Sequence, residues 1–266
     1  MSAEINAQMS SSSFLVPHTY PGRLITAEGL DGSGKSTQLQ LLSYWLQAEG
    51  YEVLITEWTP SKLIRRALKA GKKQGYMDPM LLSILHGADL AELYERDIVP
   101  ALQRGAIVLA DRYMYTAFAR DAARGLSPSW VRSLYRFSVQ PDVVFYLHIS
   151  PEGAVRRRLT LQQQQQGQLG DSRSEKNSKS GKKDKEHKQN RKLGKEQSPY
   201  SQATIGTPSP QLTQEALESF RNFEIKMYSE YQQMQKEFGF TVIEGNQSIE
   251  QVQALLRRAV GRLLLG

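Results

Sequence analysis

Eight consecutive residues, Gly29-Leu30-Asp31-Gly32-Ser33-Gly34-Lys35-Ser36, constrain this chain more than any other stretch. A glycine, four free positions and then Gly-Lys-Ser is the spacing of a loop that wraps backbone N–H groups around phosphate. That spacing carries meaning only between a strand and a helix. Arg23-Leu24-Ile25-Thr26-Ala27-Glu28 ahead of it reads as a buried strand, and Leu39, Leu42 and Leu46 behind it recur at helical spacing over 36–47. The glycines permit a tight turn with inward N–H groups, and the helix start adds its positive dipole end. Lys35 would then reach the β/γ-phosphates of a nucleotide and the Ser36 hydroxyl would bind Mg²⁺.

The rest of the chain is read around that loop. Glu52–Thr56 is a short strand, and 61–73 a helix with Leu63, Ile64, Ala67 and Leu68 on one face. Asp78-Pro79 opens a helix expected to run to about Gln103. Ala106-Ile107-Val108-Leu109-Ala110-Asp111 is an unbroken apolar run, as a parallel strand covered on both faces requires, closing on an acid. A strand-end carboxylate in a phosphate-loop protein is the second Mg²⁺ ligand, so Asp111 joins Ser36 as a candidate for the metal. Helices are expected over 113–124 and 128–139, a fourth strand over 142–149, and a helix from Pro151 to Leu159. Beyond Leu212 come a long amphipathic helix, a fifth strand at Phe240–Glu244 and a closing helix capped by Ser248. Strands alternating with helices predict an α/β fold, a parallel sheet covered on both faces with ligands at the carboxyl ends of its strands.

Composition decides what lies outside that domain. Residues 1–20 read as a flexible tail. From 160 to 210 the chain turns to Gln, Ser, Lys and Asn with almost no large apolar residue, and reads as a disordered low-complexity insertion. The folded part is then 21–159 with 211–266. Of the net charge of +7, five units sit between Thr160 and Tyr200, where ten Lys and Arg face five Asp and Glu. A basic surface for nucleic acid should lie on a folded face, so a nucleic-acid partner is not expected. There is no cysteine, no apolar run of membrane length and no basic-plus-apolar leader in the first residues, which fits a protein of the cytoplasm.

Glu28-Gly29-Leu30-Asp31-Gly32-Ser33-Gly34-Lys35-Ser36-Thr37 and Leu109-Ala110-Asp111-Arg112-Tyr113 resemble the thymidylate kinases, a family of P-loop nucleoside monophosphate kinases. Gln140–Leu147, Phe220–Phe238 and Val242–Asn246 add to the likeness. The resemblance implies a P-loop NTPase fold with a five-stranded parallel sheet in the order 2-3-1-4-5, a lid after the fourth strand that here merges with the insertion, and a homodimer. It implies transfer of the ATP γ-phosphoryl to a nucleotide, dTMP first among acceptors, with Mg²⁺. Residues Gly29 to Thr37 would hold the donor, and Arg112 would bridge donor and acceptor phosphates. Lys35 and Asp111 would share the catalytic work, with Asp31 facing the acceptor.

Several positions depart from the family pattern, and they cluster on the acceptor side. Glu57 stands where the family has a phosphate-binding arginine, Leu90 where it has an arginine that reads the thymine edge, and Arg120 and Asp121 where it has tyrosine and glutamine. Trp58 would stack on a base or be simply buried. Arg156, Arg157 and Arg158 would close over the phosphates or cover a helix surface. A kinase for another nucleotide or phosphorylated metabolite therefore stays open, as does a non-catalytic ATP-binding regulatory protein.

Overall fold

The computed structural model describes residues 15–75, 77–160 and 214–265. In chain order they form β1 (Val16–Pro17), β2 (Arg23–Glu28), α1 (Lys35–Ala48), β3 (Val53–Glu57), α2 (Lys62–Gln74) and α3 (Pro79–Leu93). A π-helical segment, Tyr94–Ile98, leads into α4 (Val99–Gln103), β4 (Ile107–Asp111), α5 (Met114–Ala123) and α6 (Pro128–Leu134). Then come β5 (Val139–Gln140), β6 (Val143–His148), α7 (151–160), α8 (Gln214–Phe238), β7 (Thr241–Glu244) and α9 (Ile249–Leu265). Nearly all of the expected insertion over 160–210, and residues 1–14 of the expected tail, lie outside the described residues.

Five strands make one parallel sheet ordered β3-β4-β2-β6-β7, which counted among themselves is 2-3-1-4-5. The period-2 alternation of a strand explains why its runs are apolar throughout. Ile25, Ile107, Leu109 and Phe145 point to one face and pack under Leu39, Leu42 and Leu46 of α1 and Leu256 and Val260 of α9. Leu24, Val108, Ala110 and Tyr146 point to the other, against α5, Ile98 and Tyr231 of α8. Helix starts follow their side-chain caps. Asp78 Oδ1 accepts the Leu81 N–H at 2.7 Å ahead of Pro79, and Ser248 and Gln251 cap one another at 3.3 and 3.1 Å.

Three expectations change. The helix expected over 79–103 widens to a π-helix over Tyr94–Ile98, one residue short of Pro100, which has no N–H to donate back along the helix. The helix expected over 128–139 ends at Leu134; Tyr135 is driven into the core, and Val139–Gln140 pair in parallel with Val16–Pro17. The far end of the expected tail is accordingly part of the fold. Leu15 is buried, and Asp142 Oδ2 gathers both the His18 ring at 2.9 Å and the Leu24 N–H at 2.7 Å. Among the described residues no helix is long and apolar enough to cross a membrane.

Candidate active site

The loop between β2 and α1 takes backbone angles that side chains resist, with φ +139° at Gly29, +75° at Gly32 and +95° at Gly34. At Gly29 a Cβ would also stand 2.6 Å from the Leu147 carbonyl oxygen of β6, so only glycine fits there. Asp31, Gly32, Gly34, Lys35, Ser36 and Thr37 border a cleft of about 430 Å³ at the carboxyl ends of the strands, together with Glu57, Asp111, Arg112 and Arg158. Gly29, Leu30 and Ser33 act from behind. Lys35 Nζ donates to the Gly29 carbonyl at 3.0 Å, the Leu30 carbonyl at 2.8 Å and Ser33 Oγ at 3.1 Å, while the Leu30 side chain is sunk in the core.

β4 delivers its last residue, Asp111, and the one after it, Arg112, to the same cleft. Ser36 Oγ donates to Asp111 Oδ2, and Arg112 Nη2 binds Asp31 Oδ1. Ser36 and Asp111 are hard oxygen donors side by side, and no three His, Asp or Glu side chains cluster for a metal among the described residues. Two protein oxygens beside a phosphate loop suit Mg²⁺, which takes its other ligands from phosphates and water. Arg112 is a non-glycine residue at positive φ, 73°. Its N–H donates to the Ala27 carbonyl at 3.1 Å, its Nη1 lies 3.4 Å from Thr116 Oγ1, and Glu28 braces the turn. Buried Glu28 accepts from the Tyr113 N–H at 2.8 Å, Thr116 Oγ1 at 2.6 Å and Tyr231 Oη at 3.0 Å.

Charge in the cleft is tightly coupled. Burial, with the neighbouring Arg112, pushes the Lys35 ammonium down to about 8. Burial works to raise Asp31, but Arg112, Lys35 and Arg158 outweigh it and hold the carboxyl below its ordinary value. Glu28 is raised by burial against the pull of its three donors. From α7, Arg157 donates to the carbonyls of Gly32 at 2.8 Å and Gly245 at 2.7 Å. Arg158 reaches Asp31 Oδ2 at 3.5 Å with its guanidinium 4.7 Å from the Phe220 ring centroid, while Arg156 is exposed.

Residues 27–197 match the sequence model of the family described as thymidylate kinase. The chain belongs to the thymidylate kinase family. It is 42% identical over 136 residues to a "Probable thymidylate kinase 2" of Saccharolobus solfataricus, an alignment covering 51% of this chain and 63% of that relative. A "Probable thymidylate kinase" of Thermococcus kodakarensis is 42% identical over 142 residues, 50% of this chain and 69% of the relative. A "Thymidylate kinase" of Thermoanaerobacter sp. is 32% identical over 143 residues, covering 52% and 70%.

In this member of the thymidylate kinase family three of the four departing positions, Leu90, Arg120 and Asp121, are buried. Leu90 is fully inside the core. Trp58 is 1% exposed, edge-on to the rings of His86 and Tyr135, with the Arg120 guanidinium 5.2 Å from its ring centroid. Asp121, wholly buried, ties Arg120 at 2.9 Å, Arg124 at 3.1 Å and Ser83 Oγ at 2.7 Å into one network. Glu57 stays at the rim of the phosphate cleft. The sequence reading gave no role to Glu28, though it ends the strand before the loop, and none to Glu224, one of five glutamates on α8, which is buried beside Asp31 and Arg112.

Proposed function

We propose that this chain transfers the γ-phosphoryl of ATP to a nucleoside monophosphate, with dTMP as acceptor and dTDP as product. The observation that carries this reading is the convergence of Lys35, Ser36, Asp111 and the Arg112–Asp31 pair on one cleft in a thymidylate kinase family chain. Phosphoryl transfer asks little covalent work of a protein; it asks for two anions in line and for the charge between them to be neutralised. Lys35 would leave the loop carbonyls for the terminal phosphates of the donor, whose other oxygens take the N–H groups of the loop. Ser36 and Asp111 would hold Mg²⁺, which when bound spreads negative charge away from the transferred group. Arg112, a planar five-donor cation already aimed by Asp31, would span donor and acceptor phosphates. The family likeness also supports a homodimer, which light scattering tests directly.

ADP release from ATP and Mg²⁺ with a panel of nucleoside monophosphates tests the reading. Turnover with dTMP that collapses in Lys35→Ala and Arg112→Ala is the expected result. Turnover with a different acceptor would keep the mechanism and replace the substrate. ATP binding that needs Lys35 without turnover of any acceptor would leave a nucleotide-binding regulatory protein.

A further inference from the structure

A second, much smaller cavity of about 40 Å³ lies between α5 and α8, walled by Thr116, Arg120, Phe220, Phe223 and Glu224. Asp31 and Arg112 border both this cavity and the phosphate cleft, so their ion pair stands between the two spaces. Glu224 is 3% exposed, and its Oε2 has no hydrogen-bond partner among the described residues. A buried carboxyl with an unused oxygen is costly unless something arrives to use it. No step of the phosphoryl transfer described above employs it.

The size and lining of the space restrict what can arrive. Some 40 Å³ admits a water molecule or a hydroxyl group and not a base ring. The lining offers a hydroxyl seated there the Glu224 carboxyl beside the apolar Phe220 and Phe223 rings. Burial first, then the nearby Asp31 carboxylate, raises Glu224 to about 8 against the opposing pull of Arg112 and Lys35, so at neutral pH the group can both donate and accept. On the nucleoside monophosphate kinase reading ATP would take the loop side of the Arg112–Asp31 pair, which leaves the far side to the acceptor.

We propose that Glu224 is a specificity-determining contact for the acceptor and that it binds the hydroxyl of the acceptor's sugar. The inference rests on the nucleoside monophosphate kinase reading. In dTMP the 3′-hydroxyl is the sugar's one free hydroxyl, so the contact falls there. Glu224 thereby joins the acceptor side to α8, the first described element after residue 160.

The test compares kcat/KM for dTMP and for its 3′-deoxy analogue, by ADP release, in the wild type, Glu224→Gln and Glu224→Met. The wild type should favour dTMP by about 10- to 100-fold, the range in which an unmet buried hydrogen-bonding group is felt. Glu224→Gln, neutral and hydrogen-bonding, should keep most of that preference. Glu224→Met, of similar length and apolar among Phe220, Phe223 and Met227, should bring the two acceptors within about threefold by losing dTMP alone. A thermal melt checks that each variant is folded. A wild-type preference below threefold overturns the inference without any variant, and so does a Met variant that weakens both acceptors equally. Both results leave the kinase reading standing. A wild type that phosphorylates no nucleoside monophosphate overturns the kinase reading, and the inference with it.

Discussion

The two sides of the Arg112–Asp31 pair are made of different materials. On the loop side the cleft is main chain and a few polar termini, with the loop held open by glycines and Lys35 tethered to carbonyls. On the far side it is mostly side chains of α5 and α8, backed by Trp58 and by a buried ion network around Asp121 that reaches Ser83 of α3. A site of backbone groups is stiff by construction and indifferent to most substitutions around it. A site of packed side chains is adjustable residue by residue, which is where a family can change its acceptor while keeping its chemistry.

Substitutions on the two sides should therefore fail in different ways. Lys35→Ala should cost the most activity, about 10³-fold in kcat or more, with Tm hardly changed. The charged form of Lys35 is disfavoured by burial, so the folded protein binds this proton less tightly than the unfolded chain. Wild-type stability should then gain from this group as pH rises through about 8, a gain the alanine variant lacks in urea titrations at pH 7 and 9. If Lys35→Ala melted far below the wild type, the loop would be a packed element and the contrast would fail.

Asp121→Ala should do the reverse. It strands Arg120 and Arg124 in the core, and urea unfolding should show a loss of about 3–5 kcal/mol. A loss under 1 kcal/mol would mean that the acceptor side is wet and loose. Smaller again is Glu224→Gln. The folded carboxyl is raised above the unfolded one, so wild-type stability should fall as pH climbs from about 4.5 to about 8. The glutamine variant should escape that fall and stand roughly 1–3 kcal/mol above the wild type at pH 8, with the two nearly equal at pH 4. Parallel pH curves for the pair would refute it. The smallest effect belongs to Arg157→Ala, which removes a tie between Gly32 and Gly245. A rise of about two- to fivefold in KM for ATP at constant kcat is expected from steady-state rates.

How far the sequence could be read follows the same division. Gly29 to Ser36 is contiguous, and its glycines answer to local backbone angles, so the motif and the strand and helix around it were legible. Asp111 was legible because an apolar run ending in an acid is a local pattern too, and Arg112 only through the family likeness of Asp111-Arg112-Tyr113. Parallel strands covered on both faces announced themselves by their unbroken apolar character. The acceptor side was not legible, because Trp58, Arg120 and Glu224 meet only after three separate crossovers of the chain. The short pairing of Val16–Pro17 with Val139–Gln140 was missed for a similar reason. Two residues give no periodicity, and their partner lies more than a hundred positions away.

Arg112 has a consequence for how such a chain can be improved. Held at φ 73°, it stores strain of about 1–3 kcal/mol that glycine would release. Arg112→Gly would release that strain but strand Asp31 without its ion-pair partner, and any variant that gained heat resistance this way would give up the proposed bridge between the phosphates. Robustness and usefulness pull this one position in opposite directions, so a search for hardier variants should hold residue 112 fixed and look elsewhere.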